Sequence, residues 1–176
     1  GSGIETTFTQ GEDACLAALV PQLPATDERR LLVVGALADV VEDQFSRLFA
    51  ELGIGPVDFL PPRRSTALPP VGPNTLLLFA QPFLGDTFAA LQARGAKRLA
   101  APYPLGAEGT AEWLRTAFNA WGGEPTRFAK VVGAGRERGG RALARWRLEL
   151  QGQRVFFFPD SQLEPPLARF VSRELG

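Results

Sequence analysis

Short apolar runs alternate along this chain with stretches in which hydrophobic residues recur every three or four positions. RLLVVGALA (Arg30 to Ala38), VDFL (Val57 to Leu60), NTLLLFA (Asn74 to Ala80) and RLAAP (Arg98 to Pro102) are compact enough to be buried strands. Helical spacing fills the gaps between them. A first helix is predicted from Thr9 or Gln10 to Leu19, with Glu12 and Asp13 in its first turn, where the helix dipole favours acids, and Pro21 and Pro24 ending it. A second, capped by Asp39, gathers Val40, Val41, Phe45, Leu48, Phe49 and Leu52 on one side and closes at Gly53. Two more are expected over Asp86 to Ala93 and, capped by Thr110, on to Trp121. The proline-rich stretch PPRRSTALPPVGP (61–73) is an extended loop. Repeated strand–helix units with short connections predict an α/β fold, a parallel sheet covered on both faces.

The last third follows another pattern. From Pro125 to Leu150 the apolar positions Phe128, Val131, Val132, Leu143, Trp146 and Leu150 are set in a mostly charged stretch. They predict one long helix weakened at Gly133, Gly135, Gly139 and Gly140. VFFF (Val155 to Phe158) then restarts the strand pattern as a buried strand. Asp160 and Ser161 make a turn, with Asp160 capping a helix over Leu167 to Leu175.

Composition narrows the classes of function. A chain of 176 residues, 45% hydrophobic, suffices for one well-buried domain with room for part of another. Basic and acidic residues number 19 each, so the formal charge is zero and nothing favours a nucleic-acid or anionic-membrane partner. No apolar run approaches the roughly 20 residues that span a bilayer, so no transmembrane segment is expected; with no signal-like N-terminus, a cytoplasmic location is. One cysteine allows no internal disulfide, and the absence of histidine removes any zinc-type ligand set. Methionine is absent too. The expectation is therefore a piece cut from a longer polypeptide.

Local constellations yield no catalytic or metal-binding residues. GAGRERGG (Gly133 to Gly140) has the spacing G-x-G-x-x-x-G, without a preceding strand, and reads as a kink in a surface helix rather than a phosphate cradle. VVGALAD (Val33 to Asp39) is a better strand-to-helix turn, but its single glycine makes it a structural one. Arg63 and Arg64 have the chemistry to pair with an acidic group, against the blander expectation of a solvated loop face. Asp160 has no positioned partner for acid–base work. Cys15, one turn inside the first helix, is expected to be a small buried thiol.

Three segments carry a family resemblance. SGIETTFTQGEDACLAALVP, ELGI after the second helix and GQRVFFFPDSQLEPPLARFVSRELG resemble the subunit N family of light-independent (dark-operative) protochlorophyllide reductases of the bacteriochlorophyll type, within the nitrogenase-like group. The resemblance covers essentially the whole chain. It implies subunits built of three Rossmann-like domains, each a small parallel sheet flanked by helices. Residues 1–123 are then the central domain, 124–151 a long connecting helix, and 152–176 the first strand–helix unit of the next domain, so VFFF and the helix over Leu167 to Leu175 are expected here to lack their sheet neighbours and either pack against the long helix or remain an exposed patch.

The same resemblance implies a reaction. Subunit N pairs with a homologous B-type partner, two such pairs form the catalytic component, and an ATP-hydrolysing iron protein (subunit L) delivers electrons. A 4Fe-4S cluster at the N/B boundary serves the reduction of the ring D double bond of protochlorophyllide, giving a chlorophyllide in photosynthetic bacteria. Its cysteine ligands lie in the N-terminal domain of subunit N, and an aspartate comes from the B-type partner. Cys15 matches no ligand motif, and the fragment alone is expected to be inactive. What remains for it is the wall of the pigment cavity, at the carboxyl ends of the strands. Phe8, Phe83, Tyr103 and Leu105 are the candidates for apolar contact with the macrocycle; Gln10 or Tyr103 would bond a polar edge. The alternative reading is a free-standing Rossmann-like module that binds a small anion without chemistry.

Overall fold

The structure, a computed structural model, describes residues 8–158 and 163–176, so the turn expected at Asp160 and Ser161 lies outside the described residues. The chain divides into two compact units, residues 1–100 and 101–176.

The first unit is built on a four-stranded, wholly parallel sheet in the order β2-β1-β3-β4, with β1 Arg30–Val34, β2 Val57–Leu60, β3 Thr75–Phe79 and β4 Lys97–Arg98. Every residue of β1 is buried, as a central parallel strand with both faces covered requires. Helices α1 (Phe8–Leu19), α2 (Asp39–Leu52) and α3 (Gly85–Ala93) flank it. The crossovers β1-α2-β2 and β3-α3-β4 step outward in opposite directions, so right-handed connections put α2 and α3 on opposite faces. Helix α1 packs beside α3. Phe45, Phe49 and Leu52 form the inner stripe of α2, while Val40 stays 65% exposed. Gly53 closes α2 at φ +76°, its amide donating to the carbonyls of Ala50 and Phe49.

Several boundaries differ from the sequence reading. Strand β1 ends at Val34 rather than Ala38, the GALA that follows it being a turn and loop. Asp39 is the first helical residue of α2, and Ala38 holds the cap position without a side-chain bond. The fourth strand, expected over Arg98 to Pro102, is two residues long; after the Leu99 amide bonds to the Leu77 carbonyl at 2.9 Å the chain leaves the ladder. Helix α1 begins by Phe8, so Glu12 and Asp13 fall in its second turn rather than its first. The two sheet margins also differ in character. Strand β2 is bracketed by Pro56 and Pro61, whereas both residues of β4 are exposed and Arg98 lies over the rings of Phe79 and Phe88, at 4.8 and 5.4 Å.

The second unit is helical in its described part: α4 (Gly106–Trp121), α5 (Pro125–Leu150), α6 (Glu164–Phe170) and a π-type turn over Val171–Leu175. Helix α4 starts four residues before the expected Thr110 because Gly106 adopts φ +71° and the Glu174 carboxylate takes the amide of Glu108 at 2.8 Å. Ala111, Trp113, Leu114, Ala117 and Phe118 are among its buried positions. Phe118 meets Phe128 of α5 with ring centroids 5.4 Å apart. Helix α5 runs unbroken through all four of its glycines. One of them explains itself: a Cβ on Gly139 would lie 2.8 Å from that of Ala107 on α4. Gly133 and Gly140 face open space. Gly133→Ala and Gly140→Ala are therefore expected to stabilise the helix by about 0.5–1 kcal/mol each, with Gly139→Ala gaining nothing, as thermal melts would read.

VFFF is not a buried strand. No described residue pairs with it, and Phe156 and Phe158 are 84% and 79% exposed. A strand of a parallel sheet is held by its neighbours' backbone, and none is beside it here. Amide hydrogen exchange at 155–158 is expected to be orders of magnitude faster than at Leu76 to Phe79; comparable protection would show a pairing the structure lacks.

Candidate functional site

Parallel α/β sheets bind ligands outside the carboxyl ends of their strands, where neighbouring connections run to opposite faces. In the first unit that point lies between β1 and β3, at Gly35 to Ala38 and Ala80 to Leu84. The ladder continues one step into both loops, the Gly35 amide bonding to the Leu60 carbonyl and the Ala80 amide to that of Val34, each at 2.8 Å. Gly35 has φ +121°, and a Cβ there would sit 2.6 Å from Cγ of Gln81. Only glycine lets the Gln81 side chain fold across. Gln81 Nε2 donates to the Ala36 carbonyl at 3.1 Å, and the Ala36 amide donates to Oε1 of Glu12 at 2.7 Å. The crevice that a nucleotide would enter is thus occupied by the protein's own Gln81 and Glu12, in line with a turn of one glycine.

The next residue of α1 does the same for α3. Asp13 is buried, and its carboxylate accepts from the amides of Asp86 (3.0 Å) and Thr87 (2.8 Å) and from the Thr87 hydroxyl (2.6 Å). The first turn of α3 is capped by a carboxylate from another helix, its own cap position, Leu84, having no side-chain acceptor. Burial pushes the Asp13 pKa up, but the bonds from Thr87, Asp86 and Gly85 together outweigh it and hold the group below the usual carboxylate value.

The predicted contact residues can now be placed. Phe83 stands in the β3–α3 loop between buried Pro82 and Leu84, 56% exposed, and is the one non-glycine residue with positive φ (+63°) among those described. Phe8 (85% exposed) and Gln10 (also exposed) lie at the start of α1. The bonds of Asp13 bring these two stretches to the same end of the unit, Asp13 being about one turn beyond Gln10 and Asp86 three residues beyond Phe83. Tyr103 and Leu105 belong to the second unit. Tyr103 is half-buried, its carbonyl accepting the Leu105 amide at 2.9 Å, and Leu105 sits at the cap position of α4, 36% exposed.

Other expectations change. Cys15 is exposed, not buried, because it lies on the outer side of α1 while Leu16 beside it turns inward. Arg63 is exposed on its loop, as expected of a solvated face, but it is also paired. Its guanidinium reaches Glu42 at 2.5 Å, Asp43 at 2.7 Å and the Asp39 carbonyl at 2.7 Å, tying the proline-rich loop to α2. These bonds, Glu42's foremost, raise its pKa. An open hollow of about 460 Å³ in the second unit is lined by Glu108, Arg136, Arg147, Arg173 and Glu174 among others, and holds none of the predicted contacts. Its charged walls suit a flat apolar macrocycle poorly.

Glu12 and Asp13 were read only as acids favourable to their own helix, and Gln81 was not singled out. The available signal was weak: one turn on from each acid stands Leu16 or Ala17, so neither has a basic partner on its own helix and both must be satisfied elsewhere. Among the described residues no group of three or more Cys, Asp or Glu could hold a metal ion.

Comparison with known proteins extends the local geometry. The description of nitrogenase component 1 type oxidoreductases matches residues 2–176. The chain belongs to that family. Curated relatives agree throughout its length. It is 70% identical over 178 residues to a light-independent protochlorophyllide reductase subunit N of Rhodopseudomonas palustris (strain BisB5) and covers 42% of that protein. To those of Rhodospirillum rubrum and Rubrivivax gelatinosus it is 67% and 64% identical, covering 41% of each. All of this chain is matched in each case. The chain thus spans about two fifths of the length of the curated relatives it matches. Family membership supports an enzyme component over a free-standing anion-binding module. Among the described residues no helix is long and apolar enough to cross a membrane.

Proposed function

We propose that this chain forms part of subunit N in the catalytic component of a light-independent protochlorophyllide reductase, which reduces the ring D double bond of protochlorophyllide to a chlorophyllide. The observation that carries this is 64–70% identity, over the entire chain, to proteins of that name. In this reading residues 1–123 are the central domain, 124–151 a connecting helix, and 152–176 the start of the following domain. The partners are the homologous B-type chain and the ATP-hydrolysing iron protein, and the complex is cytoplasmic. The 4Fe-4S cluster takes its ligands from parts of the complex other than this chain.

The task left to these residues is pigment binding. A tetrapyrrole is broad, flat and apolar with a few polar edges, and exposed aromatic side chains on rigid supports suit it. Phe8 and Phe83 in the first unit and Tyr103 and Leu105 in the second supply the apolar contacts. Gln10 or the Tyr103 hydroxyl bonds a polar edge.

The test is pigment titration of the complete subunit N assembled with its B-type partner. Phe83→Ala and Tyr103→Ala are each expected to weaken protochlorophyllide binding about tenfold to a hundredfold, the worth of roughly 1–3 kcal/mol of buried aromatic contact, with the cluster's optical spectrum unchanged. Arg136→Ala, on the exposed face of α5, is the control and leaves affinity where it was. Unaltered affinity in both aromatic variants would place the cavity wall elsewhere and leave this region a scaffold.

A further inference from the structure

Phe83 is held in a conformation that its own chemistry disfavours. A left-handed backbone crowds Cβ of an L-residue against the following carbonyl, at roughly 1–2 kcal/mol, and such a residue persists only where its surroundings over-determine it. Those surroundings are visible. Before it, Pro82 is buried and restricts the backbone of Gln81, whose side chain is bonded to Ala36. After it, Leu84 is 3% exposed and the first turn of α3 is fixed by Asp13. With both ends anchored, the reversal of the chain falls on residue 83, and the ring is turned outward.

Both anchors trace back to one helix. Glu12 holds the β1–α2 loop through the Ala36 amide, and Asp13 holds the β3–α3 loop through Asp86 and Thr87. Thr87 reinforces the second clamp, since its hydroxyl also contacts the Asp13 carbonyl at 3.1 Å. We propose that Glu12 and Asp13 are positioning residues, which clamp the two strand-end loops from α1 and thereby fix the outward presentation of the Phe83 ring for the pigment. This rests on the pigment-binding reading above. It adds that affinity depends on residues that touch no pigment, because a ring fixed in advance loses less conformational freedom on binding. The placement is also economical in sequence: two adjacent acids on one helix reach two loops about 50 residues apart because the loops converge at the strand ends.

A double-mutant cycle in the assembled complex decides it, with protochlorophyllide as the probe. Asp13→Asn keeps the shape of the side chain but removes its charge and one acceptor oxygen. Alone, it is expected to weaken binding about threefold to tenfold. In a Phe83→Ala background it should change affinity less than about twofold, because the ring through which it acts is gone. Thr87→Val, which deletes only the reinforcing hydroxyl, carries the same cycle should the Asp13 variant fail to assemble. An equal loss in both backgrounds, or no loss in either, overturns the positioning role while leaving the pigment-binding reading standing. A Phe83→Ala variant that binds normally overturns the positioning role; the pigment-binding reading falls only if Tyr103→Ala binds normally as well.

Discussion

Asp13→Ala should destabilise the first unit by about 2–4 kcal/mol, measured as a shift of the urea midpoint at neutral pH. Two donors, the amides of Asp86 and Thr87, lose their acceptor at once, and the Thr87 hydroxyl is left with the Asp13 carbonyl alone. Thr87 is fully buried, so water cannot replace the carboxylate without opening the α1–α3 seam. A buried donor left unsatisfied costs about 1–3 kcal/mol, and loss of a helix N-cap about 0.5–2 kcal/mol; the two descriptions overlap, which sets the total below their sum. Asp13→Asn should fall between, retaining one acceptor.

The pH dependence separates the charge from the shape. The folded-state pKa of Asp13 lies below its ordinary value of 3.8, so the carboxylate's stabilisation is fully present above that value and is lost as pH falls through the lower folded value. The gap in stability between wild type and Asp13→Asn should be widest near neutrality and narrow below about pH 3.8. A gap independent of pH across that range would mean that the two amides are held by geometry alone.

Trp113→Ala is expected to be costlier still, about 3–5 kcal/mol. Trp113 is the largest fully buried side chain and lies in the middle of α4, between Ala111 and Ala117 on its inner face. Small neighbours have little reach to collapse into the space an indole leaves, so a cavity term adds to the transfer term. Trp113→Phe, which retains most of the volume, should recover more than half of the loss. Denaturation followed by far-ultraviolet circular dichroism avoids the signals of Trp121 and Trp146. A cost under about 1 kcal/mol would show that the interior at this position is loosely filled.

The four strands and most helices were legible because each is a local statement: RLLVV and TLLLF need only be apolar and branched to be central. The extent of β4 was not, since it depends on where the ladder stops finding amides rather than on the character of RLAAP. VFFF misled for a related reason, being strand-like in itself and without a partner among the described residues. The glycines of α5 signalled weakness when read along the helix and proved compatible with packing across it at Ala107. Phe83 was legible as an aromatic at a strand end, whereas its left-handed backbone was not. The clamp at Glu12 and Asp13 was hidden because its partners, Ala36 and Thr87, are backbone and side-chain groups 24 and 74 residues away. Helix-dipole reasoning assigned both acids to their own helix, and the three-dimensional arrangement gave them to two others.

The margins of the sheet bear on how the protein behaves in a crowded solution. An open parallel sheet offers unpaired amides and carbonyls along its outermost strands, an invitation to strands from other molecules. At β2 the flanking Pro56 and Pro61 have no amide to offer, which confines any recruitment to the four residues between them. At β4 a newcomer would find two residues only, both cationic, with the Arg98 guanidinium already resting on Phe79 and Phe88. A copy of the same edge brought alongside would set Lys97 and Arg98 against their like. Self-association through these margins is opposed by charge on one side and by brevity on both.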